Sequence, residues 1–220
     1  MKKILIPHNT GFTKKRYGRN QDGGYILLSE LCGKSKFVYS YGAGDDTSFE
    51  EDISKEKSVE AIFLHDHTVN FTTQNQKIFF KKEPLSRDFI SHLVSNKHDD
   101  EKGLILKIDT EGAEWDTLSN CNEKIFEIFS QIVVEFHWVK EDNEFQKTLL
   151  EKLLKFYYIF HLHGNNWVGS KNGIPEVLEV SFVRKDLINN AEVEKSGFPV
   201  KNLDYVNCPY RGDFILDWWL

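Results

Sequence analysis

The sequence predicts a single α/β domain built on one doubly wound, mostly parallel sheet, and three observations carry that prediction. Short apolar runs rich in β-forming residues recur from Phe37 onward, separated by longer polar or helix-periodic stretches, which is how a parallel sheet with helical crossovers reads. Two of these runs end in glycine turns, Gly42-Ala43-Gly44 and Thr110-Glu111-Gly112, each leading into a helix-like segment. The chain has 220 residues, 40% hydrophobic and 14% aromatic, enough apolar material to cover both faces of one sheet without a second core.

Taken in order, residues 1–36 read as an N-terminal arm or lid. They are polar and turn-rich as far as Asn20-Gln21-Asp22-Gly23-Gly24, after which Tyr25-Ile26-Leu27-Leu28 has the look of a short strand leaving a tight turn. An α/β core follows over 37–185, with strands expected at 37–41, 61–65, 77–81, 104–108, 131–136, 157–162 and 177–183. Helices are expected at 49–57, 86–96, 114–119 and 145–156, the last with Leu149, Leu150, Leu153 and Leu154 along one face. The final two strands are joined through Gly164-Asn165-Asn166 and a proline loop with no helix, so they should be antiparallel neighbours. Residues 186–220 read as a tail packed on the core, its end Asp217-Trp218-Trp219-Leu220 docking there.

Composition narrows the function. The net charge is −6 and the lysines are scattered among acids, so the basic stripe of a nucleic-acid binder is missing and a small organic substrate fits better. Cys32, Cys121 and Cys208 are far apart and odd in number, which points to reduced thiols in a cytoplasmic protein. No apolar run suits a signal peptide or a membrane span.

The first chemical motif is Tyr41-Gly42-Ala43-Gly44-Asp45-Asp46. A strand ending in Gly-x-Gly lets backbone approach a nucleotide-like ligand. Asp66, about 20 residues further along, closes the run Ala61-Ile62-Phe63-Leu64-His65, where a carboxylate can take ribose hydroxyls. The third glycine of a dinucleotide fingerprint is replaced by Thr47, and acids surround it. A pyrophosphate would meet negative charge there, whereas S-adenosylmethionine carries no phosphate and a sulfonium cation.

The second motif, Leu104-Ile105-Leu106-Lys107-Ile108-Asp109-Thr110-Glu111-Gly112-Ala113-Glu114-Trp115, delivers Asp109 to the carboxyl end of an apolar strand, where open α/β sheets bind ligands. Thr110 or Glu111 would cap the helix that follows. The third is Ile132-Val133-Val134-Glu135-Phe136-His137-Trp138. Alternation there puts Glu135 and His137 on one face and Val134, Phe136 and Trp138 on the other. Charged groups at the end of a buried strand are costly unless paired, metal-bound or open to a site. His161, His163, Asn165 and Asn166 on the next strand would widen the same crevice.

Together with Arg19-Asn20-Gln21-Asp22-Gly23-Gly24-Tyr25, these motifs in this order resemble the FkbM-type and related methyltransferase-like domains, over roughly residues 16–185. The most specific element is Lys107-Ile108-Asp109-Thr110-Glu111-Gly112-Ala113-Glu114-Trp115. The resemblance implies a class I methyltransferase fold, S-adenosylmethionine as methyl donor, and a hydroxyl acceptor on a sugar, polyketide or glycan precursor.

The resulting expectation is an O-methyltransferase acting on a small polar acceptor such as a sugar or nucleotide-sugar. Tyr41, Gly42, Gly44 and Asp46 would hold the methionyl part and Asp66 the ribose, leaving the methyl group facing Asp109, itself a cofactor contact, and His137. His137 would be the general base beside Asp109, because an alcohol needs proton removal or a metal to become nucleophilic. Alternatively Asp109, Glu135 and His137 would bind Mg²⁺ or Mn²⁺. Trp138 and Trp167, with His163, Asn165 and Asn166, mix apolar and polar surface suited to a carbohydrate, or else belong to the core. A nicotinamide-dependent oxidoreductase and a non-catalytic ligand-binding domain of the same fold are the rival readings.

Overall fold

The computed structural model describes residues 1–85 and 89–220. In chain order the elements are β1 (His8–Asn9), β2 (Lys14–Tyr17), β3 (Tyr25–Leu28), α1 (Ser29–Cys32), β4 (Phe37–Tyr41), α2 (Ser48–Ile53), β5 (Ala61–His65) and β6 (Ile78–Lys81). There follow α3 (Ile90–Ser95), β7 (Leu104–Ile108), α4 (Ala113–Asn120), β8 (Phe129–His137), α5 (Glu144–Phe156), β9 (Tyr157–Gly164), β10 (Ser170–Lys171), β11 (Ile174–Pro175), β12 (Val177–Arg184) and β13 (Glu192–Val193).

Seven strands form one sheet in the order β6-β5-β4-β7-β8-β12-β9. β4 pairs in parallel with both β5 and β7, and the parallel run continues to β6 on one side and β8 on the other. β12 then enters antiparallel between β8 and β9. The chain therefore winds outward from β4 in one direction, returns at β7 and winds in the other, which is the doubly wound sheet expected from the apolar runs, with the antiparallel final strand.

The strands at 37–41, 61–65 and 104–108 fall where the apolar runs place them. β8 is longer than expected because Phe129 pairs with Leu104 at one end and His137 with Val177 at the other. α2 stops at Ile53 rather than 57, where the Ser54 hydroxyl donates back to the Glu51 carbonyl at 2.7 Å and competes with helix continuation. Of the helix expected at 86–96, Ile90–Ser95 is present, while 86–88 lie outside the described residues. Between β9 and β12 a small hairpin, β10–β11, occupies what read as plain loop.

The two faces of the sheet are covered differently. On one, Tyr39, Tyr41, Leu106, Ile108, Ile132, Val134 and Phe136 pack with Trp115 and Leu118 of α4 and Leu149, Leu150 and Leu153 of α5. On the other, Val38, Ile62, Leu64, Ile105 and Val133 meet Phe49 and Ile53 of α2 and Tyr17, Tyr25 and Leu27 of the β2–β3 hairpin. The segment read as an arm is thus a layer of the core, and even Met1 and Leu5 are buried in the main cluster. Its strands alternate sides, so Ile26 and Leu28 pack on Phe160 and Val183 of the antiparallel strands.

Hydrogen bonds stitch the hairpin to the sheet beneath. The buried Gln131 side chain on β8 accepts from the Leu28 N–H at 2.7 Å and donates to its carbonyl at 3.2 Å, while the Ser181 hydroxyl donates to the Ile26 carbonyl at 2.7 Å. At the end of the chain Trp218 Nε1 donates to the Leu5 carbonyl at 2.9 Å, and Trp219 packs on Phe198 with ring centres 5.5 Å apart. All three cysteines are buried and unbridged, with burial pushing the thiols of Cys32 and Cys121 up to about 11. Among the described residues no helix is long and apolar enough to cross a membrane.

Gln131→Leu tests this stitching, because it preserves bulk but leaves a buried N–H and carbonyl of Leu28 without their amide partner. Denaturant unfolding should show a loss on the order of 2 kcal/mol with an unchanged slope.

Candidate functional site

At the point where the winding reverses, the loops leaving β4 and β7 diverge and open a crevice at the carboxyl ends of the strands. A cavity of about 660 Å³ lies there, walled by 42–46 after β4, 65–68 after β5 and 109–111 with Ala113 after β7. The turn from Asn20 to Gly24 closes one side through Asp22 and Gly23.

The two glycines of the first loop have different reasons to be glycine. Gly42 has φ +77°, and a Cβ there would overlap the Asp109 carbonyl, so its smallness serves the crossing of two protein backbones. Gly44 has φ +54°, and a Cβ there would meet nothing within 4 Å, so that side of the loop faces the open cavity. Buried Lys107 holds the loop from below by donating to the Gly42 carbonyl.

Asp66 holds the loop from the side. One carboxylate oxygen accepts from the N–H groups of Ala43 and Gly44, both at 2.9 Å; the other accepts from the Thr68 N–H at 2.7 Å and its hydroxyl at 2.6 Å. Burial alone would raise its pKa, but these donors outweigh it and hold the carboxyl down to about 2. Four donors fill the acceptor positions of a carboxylate. Asp66 lines the cavity, yet in this state its capacity is spent on the loop rather than left for ribose hydroxyls. Asp46 is similarly engaged, accepting from the Ser48 N–H and hydroxyl and pairing with Arg19 at 3.0 Å.

Beyond β7 the strands present a polar row. Ile108 is level with Val134, so Asp109 comes level with Glu135; Glu135 pairs with Glu179 and Glu179 with His163. Facing residues on neighbouring strands share a side of the sheet, so one line of acids crosses the face that the N-terminal hairpin covers. Tyr25 from that hairpin donates its hydroxyl to Asp109 at 2.7 Å. The Asn165 amide reaches Glu135 at 3.3 Å and Asp22 at 3.2 Å, and the Asn207 amide reaches Glu179 at 2.8 Å and Asp22 at 3.1 Å. Burial, with Asp109 and Glu179 close by, raises the Glu135 pKa.

His137 is at the centre of the acids but not on the cavity wall. Its Nδ1 lies 3.2 Å from Glu114, and its Nε2 lies 3.3 Å from Glu135, 3.4 Å from Glu111 and 3.9 Å from Asp109. Burial would lower its pKa, but the carboxylates of Glu114 and Glu135 overcome that and raise it. Carboxylates engage both ring nitrogens and the ring lies off the cavity wall, an arrangement that favours the protonated imidazole and places His137 poorly for the general-base role expected of it. Of the acids around it, Asp109, Glu111 and Glu135 reach the cavity.

Other expectations also shift. Tyr41 is not in the cavity wall: its ring stacks on His65 and its hydroxyl meets His92 Nδ1 at 2.9 Å on the opposite face. His161 pairs with Asp204 at 2.7 Å, and His163 lies between Glu179 and Asp213. Burial opposes charge on His163, but Glu179 and Asp213 raise its pKa to about 10. With Asn166, which donates to the carbonyls of Cys208 and Arg211, they fasten residues 204–213 to the sheet instead of widening the crevice. Trp138 leaves the strand at φ +59° and is half exposed, as is Trp167, so neither is core. Sequence reasoning missed Tyr25, Asp22 and Glu179 as site-shaping groups. Glu179, an acid in the middle of an apolar strand, carried the one local signal.

Asp66 gives a pH test with a definite sign. Its pKa is lower folded than unfolded, so the stability it contributes is complete above about pH 4 and is lost as pH falls toward 2. An Asp66→Ala protein should be less stable than wild type near neutrality, and the difference should shrink across that acid window in urea unfolding curves.

No protein-family model matches the sequence, and no curated protein matches it. Solved structures similar to the chain include the fibrillarin pre-rRNA processing protein of Methanococcus jannaschii, at 8% identity over 70% of this chain and 69% of that one, with a TM-score of 0.45. A TehB-like SAM-dependent methyltransferase from Corynebacterium glutamicum is 12% identical over 69% and 82% of the two chains, with a TM-score of 0.42. The bifunctional kinase-methyltransferase WbdD is 12% identical over 77% of this chain and 40% of its own, with a TM-score of 0.44. The strand order, with its antiparallel strand inserted next to the edge, gives this chain a Rossmann-like sheet of the class I methyltransferase type.

Proposed function

We propose that the protein is an S-adenosylmethionine-dependent O-methyltransferase acting on a small polar acceptor, with a sugar or nucleotide-sugar as the favoured class. The observation that carries this reading is the charge of the cavity at the strand switch. Asp22, Asp45, Asp46, Asp66, Asp109, Glu111 and Glu135 line it, against one guanidinium, Arg19. Such walls repel the pyrophosphate of a nicotinamide dinucleotide and the backbone of a nucleic acid, and favour a ligand bearing a sulfonium and an ammonium. The open side of Gly44 provides space for that ligand against backbone. Asp46 and Asp109 would face its cationic end, with Asp66 holding the loop and exchanging a Thr68 contact for ribose. S-adenosylmethionine would supply the methyl group; the chain supplies orientation and proton removal.

The base in this reading is Glu135. It lines the cavity, and its raised pKa makes it a stronger proton acceptor than an ordinary carboxylate. Asn165 and His137 fix its oxygens, and Asp109 is fixed by Tyr25. A second reading keeps the divalent ion. Asp109, Glu135 and His137 offer ligand atoms within 4.8 Å of one another. Glu114 accepts from both the backbone N–H and Nδ1 of His137, the outer contact that orients a metal-binding imidazole. Mg²⁺ or Mn²⁺ held there would acidify the acceptor hydroxyl.

Thermal melting with S-adenosylhomocysteine should raise the transition, by about 2.7 kcal/mol of stabilisation at 100 times Kd, whereas NAD should not. Stabilisation by NAD alone would defeat the proposal. Gly44→Val should abolish the ligand-induced shift, since it puts a branched side chain at positive φ on the cavity side.

Once an acceptor is found in a nucleotide-sugar panel, Glu135→Gln should lower kcat by roughly 10²–10⁴-fold with little change in cofactor affinity. Insensitivity of the wild type to EDTA would assign the base mechanism. Loss of activity restored by Mn²⁺ would assign the ion.

A further inference from the structure

We propose that His65, Glu83 and His92 form a binding site for a divalent transition-metal ion of the zinc type, separate from the Asp109–Glu135–His137 group. The three come together from the end of β5, the loop after β6 and the short helix α3, and each offers one ligand atom, all mutually within 4.8 Å. His65 Nδ1 lies 3.6 Å and His92 Nε2 lies 3.3 Å from the same Glu83 oxygen. Donors sharing one tetrahedral ion at bond lengths of about 2.1 Å stand roughly 3.4 Å apart. Both distances to Glu83 are therefore close to the spacing an ion requires, and the two imidazole nitrogens lie within 4.8 Å of one another.

A second observation comes from the histidine itself. His65 is only 2% exposed, and its Nδ1 is buried without a hydrogen-bond partner, directed toward Glu83. A buried ring nitrogen left in this condition costs free energy that a bound ion would recover. His92 is turned to match, since its Nδ1 meets the Tyr41 hydroxyl at 2.9 Å and its Nε2 is the atom presented to Glu83. That hydroxyl is the outer-shell partner that fixes ring orientation in metal-binding histidines. The imidazoles stack on one another at 4.2 Å and on the Tyr41 ring, so one ring has to tilt to bring both in-plane lone pairs onto one ion.

Two imidazoles and one carboxylate suit zinc and its neighbours rather than Mg²⁺ or Ca²⁺, which favour oxygen. Glu83 is half exposed and can swing to complete the set. Lys81, a cation acting on His65, is on an exposed position of β6. His65 also lines the cavity, so the proposed ion site adjoins it.

Calorimetric titration of the EDTA-dialysed full chain with Zn²⁺ tests the proposal without any activity assay. One equivalent should bind wild type and Asp109→Asn alike, and Glu83→Gln and His65→Gln should each weaken binding at least 10-fold. Glu83→Gln changes a half-exposed side chain, so it reports on the ion even if His65→Gln proves unstable in a parallel thermal melt. Absence of Zn²⁺ binding, equal binding by Glu83→Gln, or loss with Asp109→Asn instead would overturn it, and none of these results bears on cofactor binding.

Discussion

The rest of the site depends on one constraint: a line of carboxylates is buried along the carboxyl edge of the sheet and must be neutralised where it lies. Asp109, Glu135 and Glu179 follow one another across three adjacent strands, at separations where unscreened like charges repel strongly. The chain answers with two imidazoles, His137 and His163, whose pKa values the surrounding carboxylates raise against burial, and with the amides of Asn165 and Asn207. Burial of charge is tolerated only when partnered in this way. The arrangement explains why His137 serves as a counter-charge and why Glu135 carries the raised pKa.

The same constraint gives the N-terminal hairpin its place. An antiparallel pair laid on the sheet covers part of the acid row while bringing Tyr25 onto Asp109 and Asp22 into contact with both asparagines. The hairpin is pinned at Leu28 by Gln131 and at Ile26 by Ser181. The C-terminal segment closes the far end through His161–Asp204 and His163–Asp213. Both ends of the chain are thereby tied to the strands that carry the chemistry. Changes in either would reach Glu135 through one or two hydrogen bonds.

Much of this was legible in the residues. The strands at 37–41, 61–65 and 104–108, the acidic ends of β7 and β8 and the cavity side of the Gly44 loop follow from local pattern. Period-two alternation and glycine turns are properties of consecutive residues. Asp66 lies on the cavity wall, but its hold on the glycine loop was not legible, because spacing locates a carboxylate without counting the donors that reach it. Tyr41 was misassigned for a related reason: a strand-end residue near a glycine loop still points to one face or the other, and here it points to His92.

The sequence by itself determined the α/β class, the order of strands and helices, the glycine loop and the acids that end β7 and β8, since each is written in contiguous residues. Only the tertiary structure decided which acids share a row, that carboxylates surround His137, that residues 1–36 form a layer of the core, and that His65 and His92 meet Glu83. Those outcomes depend on register between strands distant in sequence and on burial, and both raise or quench charges through neighbours that no local window contains.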